Sequence, residues 1–202
     1  LRAVLGIGNI GNRYAFTRHN AGFMFLDFLA GKFSLEFIPS KSEYYYCKGK
    51  FKGAEFLLIR PVTYVNNSGI AAAHFISAYN SNPEDLLVIH DEINLPFGKI
   101  KTKISGGDGG HNGVSSLIYH LNSTQFPRIR IGIGGDFRKG EQVDYVLERF
   151  PDEQLETLGG LFEQNMPLVE GFIFNGVKGL LDANSMANPK EKKKENDQID
   201  EN

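Results

Sequence analysis

The chain has 202 residues, of which 41% are hydrophobic and 23% charged, with a formal net charge of −2. This is the make-up of one ordinary globular domain and excludes a wholly disordered, collagen-like or coiled-coil chain. No apolar stretch reaches the roughly 18 residues of a membrane span, and the lone Cys47 excludes both an intrachain disulfide and a multi-cysteine zinc site.

Residues 2–7 read as a buried strand. The chain opens on it with no secretory apolar region, so a cytoplasmic protein is expected. Residues 20–32 follow as a helix, with Phe23, Leu26, Leu29 and Ala30 on one face. Segments 44–51 and 54–60 read as strands joined at Lys52-Gly53, a hairpin turn. Residues 68–80 read as a helix and Leu86–Ile89 as a short apolar strand. Lys99 to Ile104 and Arg128 to Ile133 both alternate basic and apolar residues, which gives each strand one basic face. Residues 95–139 hold seven basic and two acidic residues, whereas 140–181 hold two and eight. The near-neutral total argues against a nonspecific nucleic-acid binder, but a local basic face survives. Val114–Leu121 reads as a short helix and 152–174 as a longer one with its acids outside. From Met186 the sequence is lysine, acid and asparagine with almost nothing to bury, so 186–202 is expected to be a disordered tail behind a single domain, 1–185. Strands and helices mixed in this way imply an α/β domain with helices on both sheet faces, three layers in all.

Gly6-Ile-Gly8-Asn-Ile-Gly11 matches the dinucleotide fingerprint G-x-G-x-x-G directly after a strand. That fingerprint requires a helix beginning within the glycines and an acidic residue about 20 positions on, at the end of a second strand. Here Asn12 to Asn20 intervenes, and Asp27 falls inside the helix. The same stretch also reads as a tight loop at the end of a strand, the place where α/β sheets build their ligand crevice. It carries His19 beside Asn20, the expected helix N-cap.

Three further segments follow strands in the same manner: Thr63 to Gly69, His90 to Pro96 and Gly106 to Gly113. If those strand ends share one edge, His19 and Asp91 meet the amides Asn9, Asn66, Asn67 and Asn112. A histidine backed by a carboxylate is a general base, and neighbouring amides can donate to a developing oxyanion. No G-x-S-x-G serine elbow is present and Cys47 lies within a strand, which points to water as the nucleophile. Asn-Gly and Gly-Gly pairs are also plain turn formers. A metal site could use His90, Asp91, Glu92 and His111, but no H-x-x-x-H spacing accompanies them. The glycines of 106–113 lack the Lys-Ser/Thr of a phosphate loop. They permit close backbone approach to a bulky ligand, a mobile flap, or a simple connector.

Four segments, in order, resemble the signatures of bacterial peptidyl-tRNA hydrolases: GIGNIGNRYAFTRHNAG (6–22), TYVNNSG (63–69), HDEINLPFGKIKTKISGGDGGHNG (90–113) and RIRIGIGG (128–135). The likeness spans about residues 2–180. It implies a monomeric esterase without a metal or other cofactor, built on a twisted, mostly parallel mixed sheet. Such an enzyme cleaves the ester between a nascent peptide and the 3′ ribose of tRNA.

By residue match, the resemblance puts His19 at the general-base position and Asp91 at the supporting carboxylate. Asn9 matches the residue that tells a blocked amino group from a free one. Tyr14, Tyr64, Asn66 and Asn112 match positions touching the substrate near the peptide and terminal adenosine. Lys103 and Arg130 match positions that hold acceptor-stem phosphates, in keeping with their basic strand faces. Three positions depart from the family pattern: Ile10 stands for a usual proline, Val65 for a common methionine and Asn94 for a common aspartate. These bear on rate and pocket shape, and leave the reaction class intact.

Overall fold

The computed structural model describes residues 1–138 and 140–187. Seven strands form one mixed sheet: β1 (Arg2–Gly6), β2 (Ile38–Pro39), β3 (Tyr44–Phe51), β4 (Ala54–Pro61), β5 (Leu86–Glu92), β6 (Ile100–Lys103) and β7 (Arg128–Gly132). Their order is β2-β3-β4-β1-β5-β7-β6. The four central strands β4-β1-β5-β7 run parallel, and the pairs at both edges, β2/β3, β3/β4 and β6/β7, are antiparallel. The apolar runs of β1 and β5 suit a central place with both faces covered. The β3–β4 hairpin turns at Lys52 (φ 47°) and Gly53 (φ 89°), both left-handed, as a two-residue hairpin with matched twist requires.

Among the described residues, five α-helices cover the sheet: α1 (Ala21–Lys32), α2 (Ser68–Tyr79), α3 (Asn112–Leu121), α4 (Gln142–Leu147) and α5 (Asp152–Ala187). The two-residue alternation of β1 splits the core. Val4 faces Phe25, Leu26, Phe162 and Phe172 of α1 and α5, whereas Ala3 and Leu5 face Ala71, Phe75, Val114 and Leu117 of α2 and α3. The rings of Phe25 and Phe162 stack with centroids 4.6 Å apart. The expected three-layer α/β domain is therefore the one observed.

Several bounds differ from the sequence reading. β5 continues through His90, Asp91 and Glu92, so Asp91 lies on a strand and not in the loop after it. Pairing with β7 keeps those polar residues extended: Asp91 lies opposite Ile131. α5 is far longer than 152–174 because its helical turns resume after a break at Asn175–Gly176, where Gly176 has φ 63°. Arg2 donates to the freed carbonyl of Ile173 at 2.8 Å. Met186 and Ala187, where the expected tail begins, still belong to α5; the rest of that tail, 188–202, lies outside the described residues.

The topology gathers the candidate loops. β4 and β5 flank β1 on opposite sides, so the chain reverses its direction of winding at β1 and leaves a crevice at the carboxyl ends of these strands. α1 starts directly over that crevice. A Cβ at Gly22 would collide with the carbonyl oxygens of Ile7 and Ile89. Only glycine lets the helix sit this close to β1 and β5, which brings His19 down onto Asp91.

Candidate active site

His19 is carried by a single 3-10 turn, Arg18–Asn20, immediately before α1. Its Nδ1 lies 2.9 Å from Oδ1 of Asp91, which is 1% exposed at the end of β5. A second histidine reaches the same oxygen: Nε2 of His111 lies 3.0 Å from Asp91 Oδ1. The His111 tautomer follows from its other nitrogen. Nδ1 accepts the N–H groups of Gly113 (3.1 Å) and Val114 (3.3 Å) as the N-cap of α3, so the ring proton sits on Nε2 and is donated to Asp91.

Burial alone would raise the Asp91 pKa, but its two histidine partners outweigh it and hold the carboxyl well below its usual range. For His19, burial pulls the pKa down, yet the Asp91 charge and hydrogen bond prevail and raise it above 6.5. With Nδ1–H given to Asp91, Nε2 keeps its lone pair. His90, on the same strand, is driven down to about 3, chiefly by complete burial and then by His111, and stays neutral.

Asp91, His19 and His111 wall a cavity of about 250 Å³. Asn9, Asn66 and Asn112 line it as well, so the structure brings three of the four candidate amides to the His19–Asp91 pair; Asn67 is exposed and stands outside the lining. The oxygen of the Asn9 side chain accepts the Val65 N–H at 3.0 Å, which leaves the amide NH2 to face the cavity. Val65 thus contributes its backbone, whatever its side chain. Gly109 and Gly110 of the glycine loop close one side with left-handed φ of 63° and 82°. Val143, Val146 and Leu147 of α4 close another.

Tyr14 and Tyr64 stand together outside the cavity lining, ring centroids 6.4 Å apart and edge to face, with Tyr64 52% exposed. Lys103 and Arg130 lie on the antiparallel pair β6/β7, where Lys103 opposes Arg128 and Lys101 opposes Arg130. All four project from one sheet face, as the alternation implied. They are not equivalent. Arg128 is buried, stacked at 4.6 Å on Phe126, and donates to the carbonyls of Gly106 and Gly107 (2.7 Å for the latter). It anchors the glycine loop. Arg130 pairs at 3.5 Å with Glu92, whose other oxygen accepts the backbone and side-chain N–H groups of Asn94 at 3.0 and 2.9 Å. An aspartate at 94 would lack that side-chain donor.

Sequence reasoning weighed His111 only as a metal ligand and passed over Arg18 and α4. Six residues are too few to show helical periodicity, so α4 left no signal. Arg18 is a buried cation beside His19; its NH1 donates to Glu148 at 2.9 Å and to the Tyr145 carbonyl at 3.0 Å. His19, Asp91 and His111 also offer three possible ligand atoms within 4.8 Å of one another. An ion there would have to displace the two N–H donors that Asp91 now accepts. Burial pushes the Cys47 thiol up to about 11, far from a thiolate at neutral pH.

A family model described as peptidyl-tRNA hydrolase matches residues 3–196. The peptidyl-tRNA hydrolase of Lactiplantibacillus plantarum is 41% identical over 175 residues, 87% of this chain and 94% of that one. That of Thermotoga petrophila is 40% identical over 177 residues, 87% and 92% of the two chains. The crystal structure of peptidyl-tRNA hydrolase from Acinetobacter baumannii aligns with a TM-score of 0.82 at 32% identity, covering 93% of this chain and 92% of that one. Agreement of sequence and fold over nearly the full length of these relatives is decisive: the chain belongs to the peptidyl-tRNA hydrolase family.

Proposed function

We propose that this chain hydrolyses the ester joining a peptide, or an N-blocked aminoacyl group, to the 3′ end of tRNA, and so releases free tRNA for reuse in translation. The observation that carries the reading is the 2.9 Å contact of His19 Nδ1 with buried Asp91 at the wall of an amide-lined cavity, in a chain of this family.

In the proposed route, His19 Nε2 takes a proton from a water molecule as that water attacks the ester carbonyl carbon. Asp91 stabilises the imidazolium and keeps the ring in one tautomer. The carbonyl oxygen becomes an oxyanion, to which Asn9, Asn66 and Asn112 can donate. Collapse breaks the bond to the ribose oxygen, which leaves with the proton returned from His19. Water, ester and product acid and alcohol balance without an oxidant or reductant. We further propose that Asn9 reads the blocked amino end, that Tyr14 and Tyr64 flank the 3′ end, and that Lys103 and Arg130 hold acceptor-stem phosphates. The chain would act as a monomer in the cytoplasm, where its substrate arises; no helix among the described residues is long and apolar enough to cross a membrane.

The direct test is release of N-acetylated amino acid from aminoacyl-tRNA, wild type against His19→Ala. Turnover lost by roughly 10²–10⁴ with the fold retained fits a general base; near-normal turnover in the variant excludes it.

A further inference from the structure

Asn20 occupies the N-cap position of α1, where an asparagine side chain ordinarily accepts a hydrogen bond from the first helical turn. It makes no such bond. Its side-chain amide turns the other way and grips the backbone of Asn9 at two points. Oδ1 accepts the Asn9 N–H at 2.8 Å, and Nδ2 donates to the Asn9 carbonyl at 3.0 Å. The pairing copies a backbone-to-backbone bridge, yet one partner is a side chain. Both residues are withdrawn from solvent, Asn20 at 1% and Asn9 at 8% exposure.

The segment around Asn9 needs such a grip. Gly8 precedes it, and Gly11, with φ 105°, follows two residues on. Ile10 between them is 40% exposed. Neither glycine restricts the backbone, and Ile10 has little to pack against. With the Asn9 backbone held by Asn20 and its Oδ1 held by the Val65 N–H, every polar group of Asn9 except the amide NH2 is committed. The same three-residue turn that ends in Asn20 carries His19. One rigid turn therefore sets both the base and the donor.

We propose that Asn20 is a positioning residue, whose two-point grip on Asn9 fixes the Asn9 amide NH2 relative to His19 so that donor and base meet the ester together. The inference rests on the hydrolase reading above. Giving up the helix cap for this contact is the sign of what the side chain is for: a cap would stabilise α1, whereas the grip serves only the Asn9 loop.

The test uses Asn20→Ser and Asn20→Ala in the full chain. Serine is a strong N-cap, so it can restore the unused cap of α1 while it cannot span both Asn9 groups. The expected result for Asn20→Ser is a Tm close to wild type and a kcat lower by roughly 10- to 100-fold, the scale of a sub-ångström to ångström misplacement. The acid limb of the pH profile should hold, because His19–Asp91 is untouched. In a cycle with Asn9→Ala, the double variant should lose no more than Asn9→Ala alone. Multiplicative losses, or wild-type kcat in Asn20→Ser, overturn the proposal.

Hydrogen exchange of the Asn9 amide provides a readout independent of activity. It should be slow in the wild type and fast in both Asn20 variants. Rapid exchange in the wild type, or unchanged protection in Asn20→Ala, overturns the grip even if one variant folds poorly. If the wild type fails to hydrolyse N-acetylated aminoacyl-tRNA while the Asn9 amide is protected through Asn20, the functional reading fails and the grip stands.

Discussion

His111 donates its Nε2–H to Asp91 Oδ1 at 3.0 Å, the same oxygen that holds His19. The carboxylate is therefore shared between His19, the proposed base, and the Nε2–H of His111. His111 cannot turn away, because its Nδ1 caps α3. It tempers the charge that His19 feels and keeps Asp91 aimed into the cavity.

Asp91→Asn should lower kcat by roughly 10²-fold or more while leaving KM nearly unchanged, since the buried amide keeps the shape but cannot stabilise an imidazolium. The sign of the pH effect follows from the raised His19 pKa. The base works only when unprotonated, so kcat/KM of the wild type should fall with decreasing pH through a midpoint above 6.5, the ordinary histidine value. In Asp91→Asn the raising partner is gone and burial remains, so residual activity should show its acid limb at lower pH. A limb that does not move would detach His19 from the pH profile.

His111→Asn separates capping from donation. The asparagine oxygen can still cap α3, but the Nε2–H to Asp91 is lost. Thermal stability should change little and kcat should fall by about tenfold, less than for Asp91→Asn. The Asp91 charge, relieved of one donor, should hold the His19 proton more tightly and move the acid limb upward. Differential scanning calorimetry and pH–rate profiles check both parts; a limb that moves downward refutes the sharing.

Lys103→Ala and Arg130→Ala should each raise KM for full-length tRNA substrates and flatten the dependence of log K on log salt by about one contact. Neither should matter for a short ester that lacks the acceptor stem. Arg130 pairs with Glu92 at 3.5 Å, so a phosphate must compete for it, and its loss should cost less than that of Lys103. Equal losses on long and short substrates would put these residues in the chemistry or the fold.

Arg128→Met should behave differently from both. Removing a buried guanidinium leaves the Gly106 and Gly107 carbonyls without their donor, at a cost of roughly 3–6 kcal/mol for the two, because hydrogen bonds to charged groups contribute about 1.5–3 kcal/mol each. Urea unfolding should show the loss, and the salt slope of tRNA binding should not change. An unchanged midpoint with a flatter slope would make Arg128 a phosphate contact.

Much of this site was written in local sequence. The strand-loop pattern after β1 and β4 marked His19, Asn9 and Asn66 as candidates, because loops at the carboxyl ends of strands in an α/β sheet build its ligand crevice. Alternation in Lys99–Ile104 and Arg128–Ile133 showed a basic face, since the period of a strand is fixed by its geometry. What the pattern could not show is which partner each polar atom takes, for that depends on residues far apart in the chain. Asp91 read as a loop residue because its polarity ends the apolar run, and only pairing with β7 keeps it on the strand. Arg128 and Arg130 are alike in sequence, yet one is buried under the glycine loop and the other meets Glu92. Asn20 read as a helix cap by its position, and the approach of the Asn9 loop, 11 residues away, turned it to another use. His111 reached Asp91 across 20 residues only because α3 and β5 meet at the crevice. The sequence alone determined most of the elements, the layers and the residue types of the chemistry; the tertiary structure decided the short α4, the full reach of β5 and α5, and the hydrogen-bond partners, because burial leaves each polar group only those partners that the packing brings within about 3 Å.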